Sequence, residues 1–288
     1  MKMIASDMDG TLLNEKGKIS KENELAIKKA MEKGITFVAA TGRGFESANK
    51  PLQAKGITSP IISLNGAKTY DQNHQLIHEV SMDFSISKKI LSVCQQKEMY
   101  IELFTNHGIY SLAQGDYMDI IITIMKMVRK DAHEDEIRHM MEQRFKLEKV
   151  HFIRHYEELA SISDLKVYKI LCFSDNDEVL NQAFNTLENA PGMVITSSGT
   201  WNLEFNHPDA QKDIALKFLA NRMGIRMEDI MTIGDNLNDK SMLSKAGRGV
   251  AMGNALDEIK EICKYTTKTN NENGVAFAIE EMLEDYNL

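Results

Sequence analysis

Short apolar runs alternate with helical segments in the first third of the chain, and the same rhythm returns in the last third. A predicted strand over 2–6 precedes a helix that Ser20 caps and Gly34 ends, and residues 35–40 then form a continuous apolar run. A run that is apolar at every position is typical of a strand buried on both faces. Strand, helix and strand in this order predict parallel pairing through right-handed crossovers. The sequence therefore predicts an α/β fold built on a parallel sheet.

For two helices of this pattern, the sequence also predicts which residues cap them or face the core. The first helix should turn inward a stripe formed by Leu25, Ile27, Ala30 and Met31. In the last third, Asp209 is expected to cap a helix that runs to Met223 and ends at Gly224. The inward positions expected in that helix are Ile214, Phe218 and Leu219.

The middle of the chain breaks the parallel rhythm. It combines helices, including a charge-rich helical region over 114–142, with two predicted hairpins, one across Asn106-His107-Gly108 and one that joins 193–197 to 201–205. The parallel rhythm resumes afterwards. We therefore predict two domains: a core formed by 1–82 and 207–288, and an inserted α+β domain over 83–206.

Composition and charge exclude several classes of partner. The 288 residues, 43% of them hydrophobic, suffice for real cores, and the net charge of −8 disfavours nucleic acid or an anionic membrane as a partner. The scattered cysteines Cys94, Cys172 and Cys263 lack C-x-x-C spacing and are expected to be reduced thiols. We identify neither an export signal nor a run long enough to span a bilayer, so we expect a cytoplasmic protein that takes a small substrate.

Two aspartates, Asp7 and Asp9, follow the first apolar run directly. Side chains at positions i and i+2 of an extended segment point the same way, so both carboxylates are expected to face one side where the strand ends. Carboxylates so close together repel each other unless a cation or a shared proton joins them. Gly10 allows a sharp turn, and Thr11 is expected to hydrogen-bond to the local backbone.

A second acidic cluster lies far away in the chain, again just after an apolar run. Asp235, Asn238 and Asp239 follow the predicted strand over 230–233. In an open parallel sheet, ligands bind beyond the carboxyl ends of the strands, where both acidic clusters are predicted to lie. Oxygen ligands of this kind select Mg²⁺ over zinc or copper. Asp239 has a second interpretation, as a helix N-terminal acid that needs no metal.

Two further elements fit an anion at the same edge. Lys212 lies in the first turn of its predicted helix, where the helix dipole disfavours a cation by about 0.3–1 kcal/mol, and a bound anion would reverse that penalty. The alternative is a solvated lysine that pairs with its neighbour Asp213. Thr41 and Gly42 offer a hydroxyl and a backbone N–H to phosphate oxygens.

Together these residues resemble the four motifs of the haloacid dehalogenase-like hydrolase superfamily. The motifs are Asp7-Met8-Asp9-Gly10-Thr11, Thr41-Gly42-Arg43, Lys212, and Gly234-Asp235-Asn236-Leu237-Asn238-Asp239. The long insert and the Asn65-Gly66-Ala67 element resemble the Cof-type (subclass IIB) sugar-phosphatase branch. The resemblance implies a Rossmann-like catalytic core with an inserted α+β cap that closes over the site and reads the leaving group.

The resemblance also implies a role for each motif residue. Asp7 would be the nucleophile that forms an aspartyl-phosphate, and Asp9 the general acid and base. Mg²⁺ would bind the carboxylates of Asp7 and Asp235 and the backbone carbonyl of Asp9, with Asp239 in support. The implied phosphate ligands are Met8 and Gly42 through backbone N–H groups, together with Thr41, Lys212 and Asn238. The implied activity is a Mg²⁺-dependent phosphatase for small phosphorylated metabolites, sugar phosphates first and nucleotide monophosphates as a further class.

Other functions stay open on the sequence. A phosphomutase of the same architecture would return the phosphoryl group to a second hydroxyl, and a non-catalytic relative would sense a ligand without turnover. His107 and Arg43 are weaker candidates for substrate contact, with an exposed turn and a structural ion pair as their respective alternatives. His151 and His155 have helical spacing but no third ligand nearby, and Asn65-Gly66 is interpreted as a structural turn.

Overall fold

The computed structural model of the protein describes residues 1–112, 117–128 and 132–287. These residues form a mixed α/β structure, which confirms the predicted fold class. By internal contacts the chain divides into two compact units, one formed by 1–80 with 209–288 and the other by 81–208. Among the helices of the described ranges, none combines the length and apolarity that crossing a bilayer would require.

The described ranges contain fourteen strands and ten α-helices. The strands are β1 (Met3–Ser6), β2 (Thr36–Ala40), β3 (Ile61–Ser63), β4 (Lys68–Tyr70), β5 (Leu76–Glu79), β6 (Tyr100–Thr105), β7 (Gly108–Leu112), β8 (Val150–Ile153), β9 (Val167–Phe173), β10 (Val194–Thr196), β11 (Asn202–Asn206), β12 (Ile230–Gly234), β13 (Arg248–Ala251) and β14 (Tyr265–Thr266). The helices are α1 (Lys21–Glu32), α2 (Phe45–Gln53), α3 (Phe84–Gln96), α4 (Tyr117–Val128), α5 (Glu134–Leu147), α6 (Asp177–Leu187), α7 (Lys212–Arg222), α8 (Lys240–Lys245), α9 (Asp257–Ile262) and α10 (Gly274–Asp285).

The first unit is built on an eight-stranded sheet in the order β14-β13-β12-β1-β2-β3-β4-β5. The six strands from β14 to β3 are parallel, and β4 and β5 extend the sheet as antiparallel strands. β1 lies at the centre, between β2 and β12, with Ser6 in register with Ala39 and Ile233. The carboxyl ends of β1, β2 and β12 therefore meet at one edge.

Both faces of the central strands are buried, because successive side chains enter different layers. Ile4 belongs to an apolar cluster that includes buried residues of α1, α2, α9 and α10. Its neighbours Met3 and Ala5 belong to a second cluster that includes residues of α7 and α8. This three-layer packing fixes the strands, so the loops at their ends start from rigid positions.

The second unit has a six-stranded sheet in the order β10-β11-β9-β6-β7-β8. All neighbouring pairs in it are antiparallel except β7 and β8. α3 and α6 pack on one face, where they bury residues such as Ile90 and Ala183 against the sheet. α4 and α5 lie within the helical region predicted over 114–142, the first residues of which fall outside the described ranges.

Three predictions about the first unit's helices are wrong in part. Leu25 is 54% exposed, because the buried face of α1 runs through Asn23, Ala26, Ile27 and Ala30 instead. α7 begins at Lys212 after Gln211, so Asp209 lies outside the helix and does not cap it. Ile214 and Phe218 are only half-buried, and the ring of Phe218 stacks on His78 of β5 at 4.5 Å.

The spacing of His151 and His155 is not helical either. His151 lies in β8, and His155 precedes a short 3-10 helix over Tyr156–Ser161. Both histidines are exposed. The hairpin of β4 and β5 was not expected, because its short strands are half-exposed and carry no continuous apolar run.

Candidate active site

The acidic and polar motifs lie at the carboxyl edge of the parallel sheet. Asp7 follows β1, Thr41 follows β2 and Asp235 follows β12. The backbone N–H of Asp7 donates to the carbonyl of Ile233 over 2.9 Å, which extends the β1–β12 pairing as far as the aspartate. Sheet register thus fixes where each of these loops begins.

Lys212 joins two carboxylates in the interior of the first unit. Its Nζ donates to Oδ1 of Asp7 and to Oδ1 of Asp239, each over 2.6 Å. The side chains of Lys212 and Asp239 have no exposed surface, and that of Asp7 is 7% exposed. Asp213, the alternative partner considered for Lys212, pairs with Lys245 instead. The lysine is therefore a buried member of the acidic cluster and not a solvated surface charge.

Asp239 also organises the loop after β12. Its Oδ2 accepts the backbone N–H groups of Asp235 and Asn236 over 3.0 and 3.2 Å. Asn236 caps the short 3-10 helix Leu237–Asp239 that follows. A Cβ at Gly234 would stand 2.6 Å from the carboxyl carbon of Asp239, so only glycine leaves room for this turn. Asp239 thus accepts from the loop backbone with one oxygen and from Lys212 with the other.

Asp235 is oriented by the first motif. The hydroxyl of Thr11 donates to its Oδ1 over 2.7 Å, in place of the local backbone bond that we predicted. Gly10 has a φ of +77°, and a Cβ there would stand 2.4 Å from Oδ2 of Asp235. The turn after Asp9 is therefore shaped to receive a side chain that is 224 positions away from Thr11 in sequence.

The carboxylates of Asp7, Asp235 and Asp239 form a set that suits a cation. Each offers one oxygen, and these oxygens lie within 4.8 Å of one another. Burial, together with the neighbouring carboxylates, raises the pKa of Asp7 well above its usual range, against the opposing effect of Lys212. Burial and the charge of Asp239 raise the pKa of Asp235 to about 7. Excess negative charge in an all-oxygen cluster fits a hard divalent cation, which would relieve the repulsion.

The pKa of Lys212 is shifted in the opposite sense to what burial alone would cause. Burial lowers the pKa of the ammonium, but the charges of Asp239 and Asp7 outweigh it and hold the pKa above its ordinary value. The two carboxylates therefore favour the charged form of Lys212.

Asp9 is not one of the three clustered carboxylates, although its charge acts on both Asp7 and Asp235. β1 ends at Ser6, so the strand geometry on which we based a shared direction for Asp7 and Asp9 does not extend to Asp9. Its side chain is 54% exposed, and its two oxygens accept from Nε and Nη2 of Arg43 over 2.6 Å each. Of the two interpretations of Arg43, the ion pair with a carboxylate is confirmed.

Two of the predicted phosphate-binding residues, Thr41 and Asn238, are linked through Asn65, which follows β3. Thr41 is buried, its hydroxyl accepts the N–H of Arg43 over 3.1 Å, and its carbonyl accepts the N–H of Asn65 over 3.0 Å. The side-chain amide of Asn238 donates to Oδ1 of Asn65 over 3.3 Å. Gly42 directly follows Thr41, and Met8, fully buried, lies between Asp7 and Asp9.

The Asn65-Gly66 element contacts the start of α7 as well. Leu64 and Asn65 have positive φ angles of 50° and 59°, and Gly66 has a φ of +106°. A Cβ at Gly66 would stand 2.5 Å from the carbonyl oxygen of Gln211, directly before Lys212. The turn abuts the residue that precedes the buried lysine, which is in keeping with the structural role predicted for it.

His107 has a local partner in the second unit. It occupies the turn between β6 and β7, and its Nε2 lies 2.9 Å from Oδ1 of Asp164. Three links that sequence reasoning missed are all long-range: Thr11 with Asp235, Lys212 with Asp7, and Asn65 with Asn238. The residue types marked each of these side chains as polar or charged. They did not show which partner each side chain contacts or which way it points.

Comparison with known proteins identifies the family. The family model described as haloacid dehalogenase-like hydrolase matches residues 4–279. The phosphatase YwpJ of Bacillus subtilis is 36% identical over 285 residues, which is 98% of this chain and all of that protein. The 5-amino-6-(5-phospho-D-ribitylamino)uracil phosphatase YwtE of the same organism is 36% identical over 284 residues and covers 98% of both chains.

Solved structures agree with this assignment. A haloacid dehalogenase-like hydrolase from B. subtilis superimposes with a TM-score of 0.88 at 36% identity, over 98% of this chain and all of that one. A subclass IIB sugar phosphatase superimposes with a TM-score of 0.77 at 24% identity, over 98% of this chain and 99% of that one, which supports the fold alone. The chain belongs to the haloacid dehalogenase-like hydrolase family.

Proposed function

We propose that this haloacid dehalogenase-like hydrolase is a Mg²⁺-dependent phosphatase that acts on small phosphorylated metabolites through an aspartyl-phosphate on Asp7. The observation that carries the proposal is the buried contact between Asp7 and Lys212, set beside the carboxylates of Asp235 and Asp239. A carboxylate that is to attack an anionic phosphate ester needs positive charge beside it, and this cluster supplies one cation and fits a second.

The cation would be held by the carboxylates of Asp7 and Asp235 and by the backbone carbonyl of Asp9, with Asp239 in support. When bound, Mg²⁺ would neutralise the nucleophile and the phosphoryl group together, so that their mutual repulsion falls. Thr11 keeps Asp235 turned toward the cluster, since its hydroxyl occupies Oδ1 of that carboxylate.

Two displacements at phosphorus complete the reaction. In the first, a carboxylate oxygen of Asp7 forms a bond to phosphorus, the bond from phosphorus to the leaving oxygen breaks, and Asp9 gives that oxygen a proton. In the second, water attacks phosphorus and gives its proton to Asp9, and the bond from phosphorus to Asp7 breaks. Inorganic phosphate and the free alcohol are the products.

The remaining motif residues would hold the phosphoryl oxygens. The side chains of Thr41, Lys212 and Asn238 and the backbone N–H groups of Met8 and Gly42 are the donors that we assign to this task. A transferring phosphoryl group spreads its charge over three oxygens, so several converging donors stabilise it better than one.

The substrate class follows from the relatives by analogy. YwtE is named for a phosphate ester of a ribityl chain, which is a polyol. We therefore assign sugar and polyol phosphates as the first class to test and nucleotide monophosphates as the second. The unit over 81–208 would act as the cap that reads the leaving group.

The test is a screen of phosphate monoesters for phosphate release by the purified chain, before and after removal of divalent cations. We expect release that chelation abolishes and that Mg²⁺ restores better than Ca²⁺, whose looser coordination suits in-line displacement poorly. Conversion of a sugar phosphate into an isomer without phosphate release would identify a phosphomutase instead. Ligand binding without any turnover across the screen would contradict both.

A further inference from the structure

The direction of the Asp9 side chain is set by its polar partner. Asp9 is 54% exposed, so few packing contacts hold it. Nε of Arg43 donates to its Oδ2 and Nη2 to its Oδ1, each over 2.6 Å. Two parallel bonds from one planar guanidinium fix both the position and the rotation of a carboxylate.

Arg43 is itself held in place on three sides. Its backbone N–H donates to the hydroxyl of Thr41 over 3.1 Å, and its carbonyl accepts the N–H of Leu64 over 3.0 Å. Its Nη1 donates to the carbonyl of Ser47 in the first turn of α2 over 3.4 Å. The backbone of Arg43 is thus anchored to Thr41 and Leu64, and its guanidinium is tied to α2 through Ser47, independently of Asp9.

We propose that Arg43 is a positioning residue for Asp9, which it holds in the orientation from which the carboxyl group exchanges protons. The proposal rests on the role of general acid and base assigned to Asp9 above. An oxygen of Asp9 that takes up the proton gives up its bond to Arg43, and the bond from the guanidinium to the other oxygen still holds the carboxyl group. A catalytic group displaced by about 1 Å can cost about 10²-fold in rate, so an exposed Asp9 without its partner would lose most of its effect.

A different function for Arg43 is suggested by its place directly after Thr41-Gly42. From there the guanidinium could bind the phosphoryl group itself. The two functions differ in one respect: a residue that acts only through Asp9 has nothing left to contribute once Asp9 is disabled. A residue that binds phosphate keeps its contribution.

The experiment compares R43A, R43K, D9N and the double variant D9N/R43A for kcat, KM and inhibition by inorganic phosphate. We expect R43A to lower kcat by about 10²-fold with little change in phosphate inhibition. R43K keeps the positive charge but lacks the planar guanidinium, so its kcat should fall almost as far as that of R43A. In the D9N background, R43A should change kcat by less than about twofold, because effects within one unit do not add.

An aryl phosphate gives a second readout, because its leaving group departs without a proton. With 4-nitrophenyl phosphate, R43A should release one nitrophenolate per enzyme in a rapid burst and then turn over slowly, since only the hydrolysis of the intermediate needs Asp9. R226A removes exposed ion pairs with Glu228 and Asp229 and serves as the control for the loss of a surface arginine.

Several outcomes would overturn the proposal. A normal kcat in R43A or R43K is one, and a kcat loss in D9N/R43A equal to the product of the two single losses is another. Weaker inhibition by phosphate that accounts for the R43A defect would show that Arg43 binds phosphate. The absence of the nitrophenolate burst in R43A would also contradict the proposal. Failure of the proposed function shows elsewhere, as unchanged turnover in D7N, so the two failures are distinguishable.

Discussion

Nζ of Lys212 lies 2.6 Å from Oδ1 of Asp239, and neither side chain has any exposed surface. The same ammonium contacts Asp7 over an equal distance. A buried cation between two buried carboxylates leaves a net negative charge in the cluster, which Asp235 increases. Protons offset this excess in the metal-free protein, as the raised pKa values of Asp7 and Asp235 indicate, and a divalent cation would take their place in the proposed enzyme.

Replacing Lys212 with methionine should destabilise the protein strongly. K212M leaves Asp7 and Asp239 buried and unpaired, and breaking a buried ion pair costs about 3–5 kcal/mol of the free energy of unfolding. Denaturant unfolding measures the loss, with K217M, at an exposed lysine of the same helix, as the control. K212M/D239N should recover part of the stability, and equal stability of K212M and wild type would contradict the assigned pairing.

Asp7→Asn should abolish phosphate release without unfolding the protein. The amide is nearly isosteric but is a poor nucleophile, so no acyl phosphate can form. Phosphate release and covalent trapping of labelled phosphate are the measurements. D257N, at a residue with a 96% exposed side chain, is the matched control and should behave like wild type. Labelled phosphate still bound covalently to D7N would assign the nucleophile to another residue.

Cation binding should strengthen as pH rises through neutrality. Burial and Asp239 raise the pKa of Asp235 to about 7 from an ordinary 3.8. Between these values the folded state holds a proton that the unfolded state has lost, so the metal-free protein loses stability as pH rises. A cation must displace that proton, so Mg²⁺ should raise the melting temperature more at about pH 8 than at about pH 6. D235N removes an assigned cation ligand together with the proton, so it should lose most of the Mg²⁺ effect at both pH values. A larger Mg²⁺ effect at the lower pH in the wild type would contradict the prediction.

Gly66→Ala should impair both stability and turnover. The φ of +106° disfavours any side chain, and the added Cβ would stand 2.5 Å from the carbonyl oxygen of Gln211. We expect a loss of about 1–3 kcal/mol in the free energy of unfolding, together with a lower kcat because the start of α7 carries Lys212. G224A is the control, since Gly224 also has a positive φ of 68° but has no atom within 4 Å of its added Cβ. If G66A and G224A have the same kcat, the turn at Gly66 does not affect turnover and the prediction is wrong.

Much of the fold could be predicted because its signals are local. The continuous apolar runs predicted β1, β2 and β12, and the three-layer burial of Ile4 with Met3 and Ala5 explains why those runs have no polar face. The family, which short motifs suggested, is confirmed by the family model that matches residues 4–279. Short half-exposed strands such as β4 and β5 escaped prediction because their residues have no distinct period.

The helix errors have a common cause. Leu25 and Phe218 were placed inward because they are apolar, but burial depends on where the rest of the fold covers a helix. Asp209 was chosen as a cap because of its residue type, whereas the close contact of Gly66 with Gln211 marks where α7 begins. The roles assigned to the motif residues stay predictions that the experiments above would test.

Local sequence patterns predicted the apolar strands β1, β2 and β12 and the acidic loops after them, because periodicity and turn chemistry depend on neighbouring residues alone. The partners of the side chains in these loops came from the packed fold. Lys212 contacts Asp7 across 205 positions and Asp239 across 27, and Arg43 donates to both oxygens of Asp9. A side chain's partner depends on which loops the packed sheet brings together, and no local pattern records that.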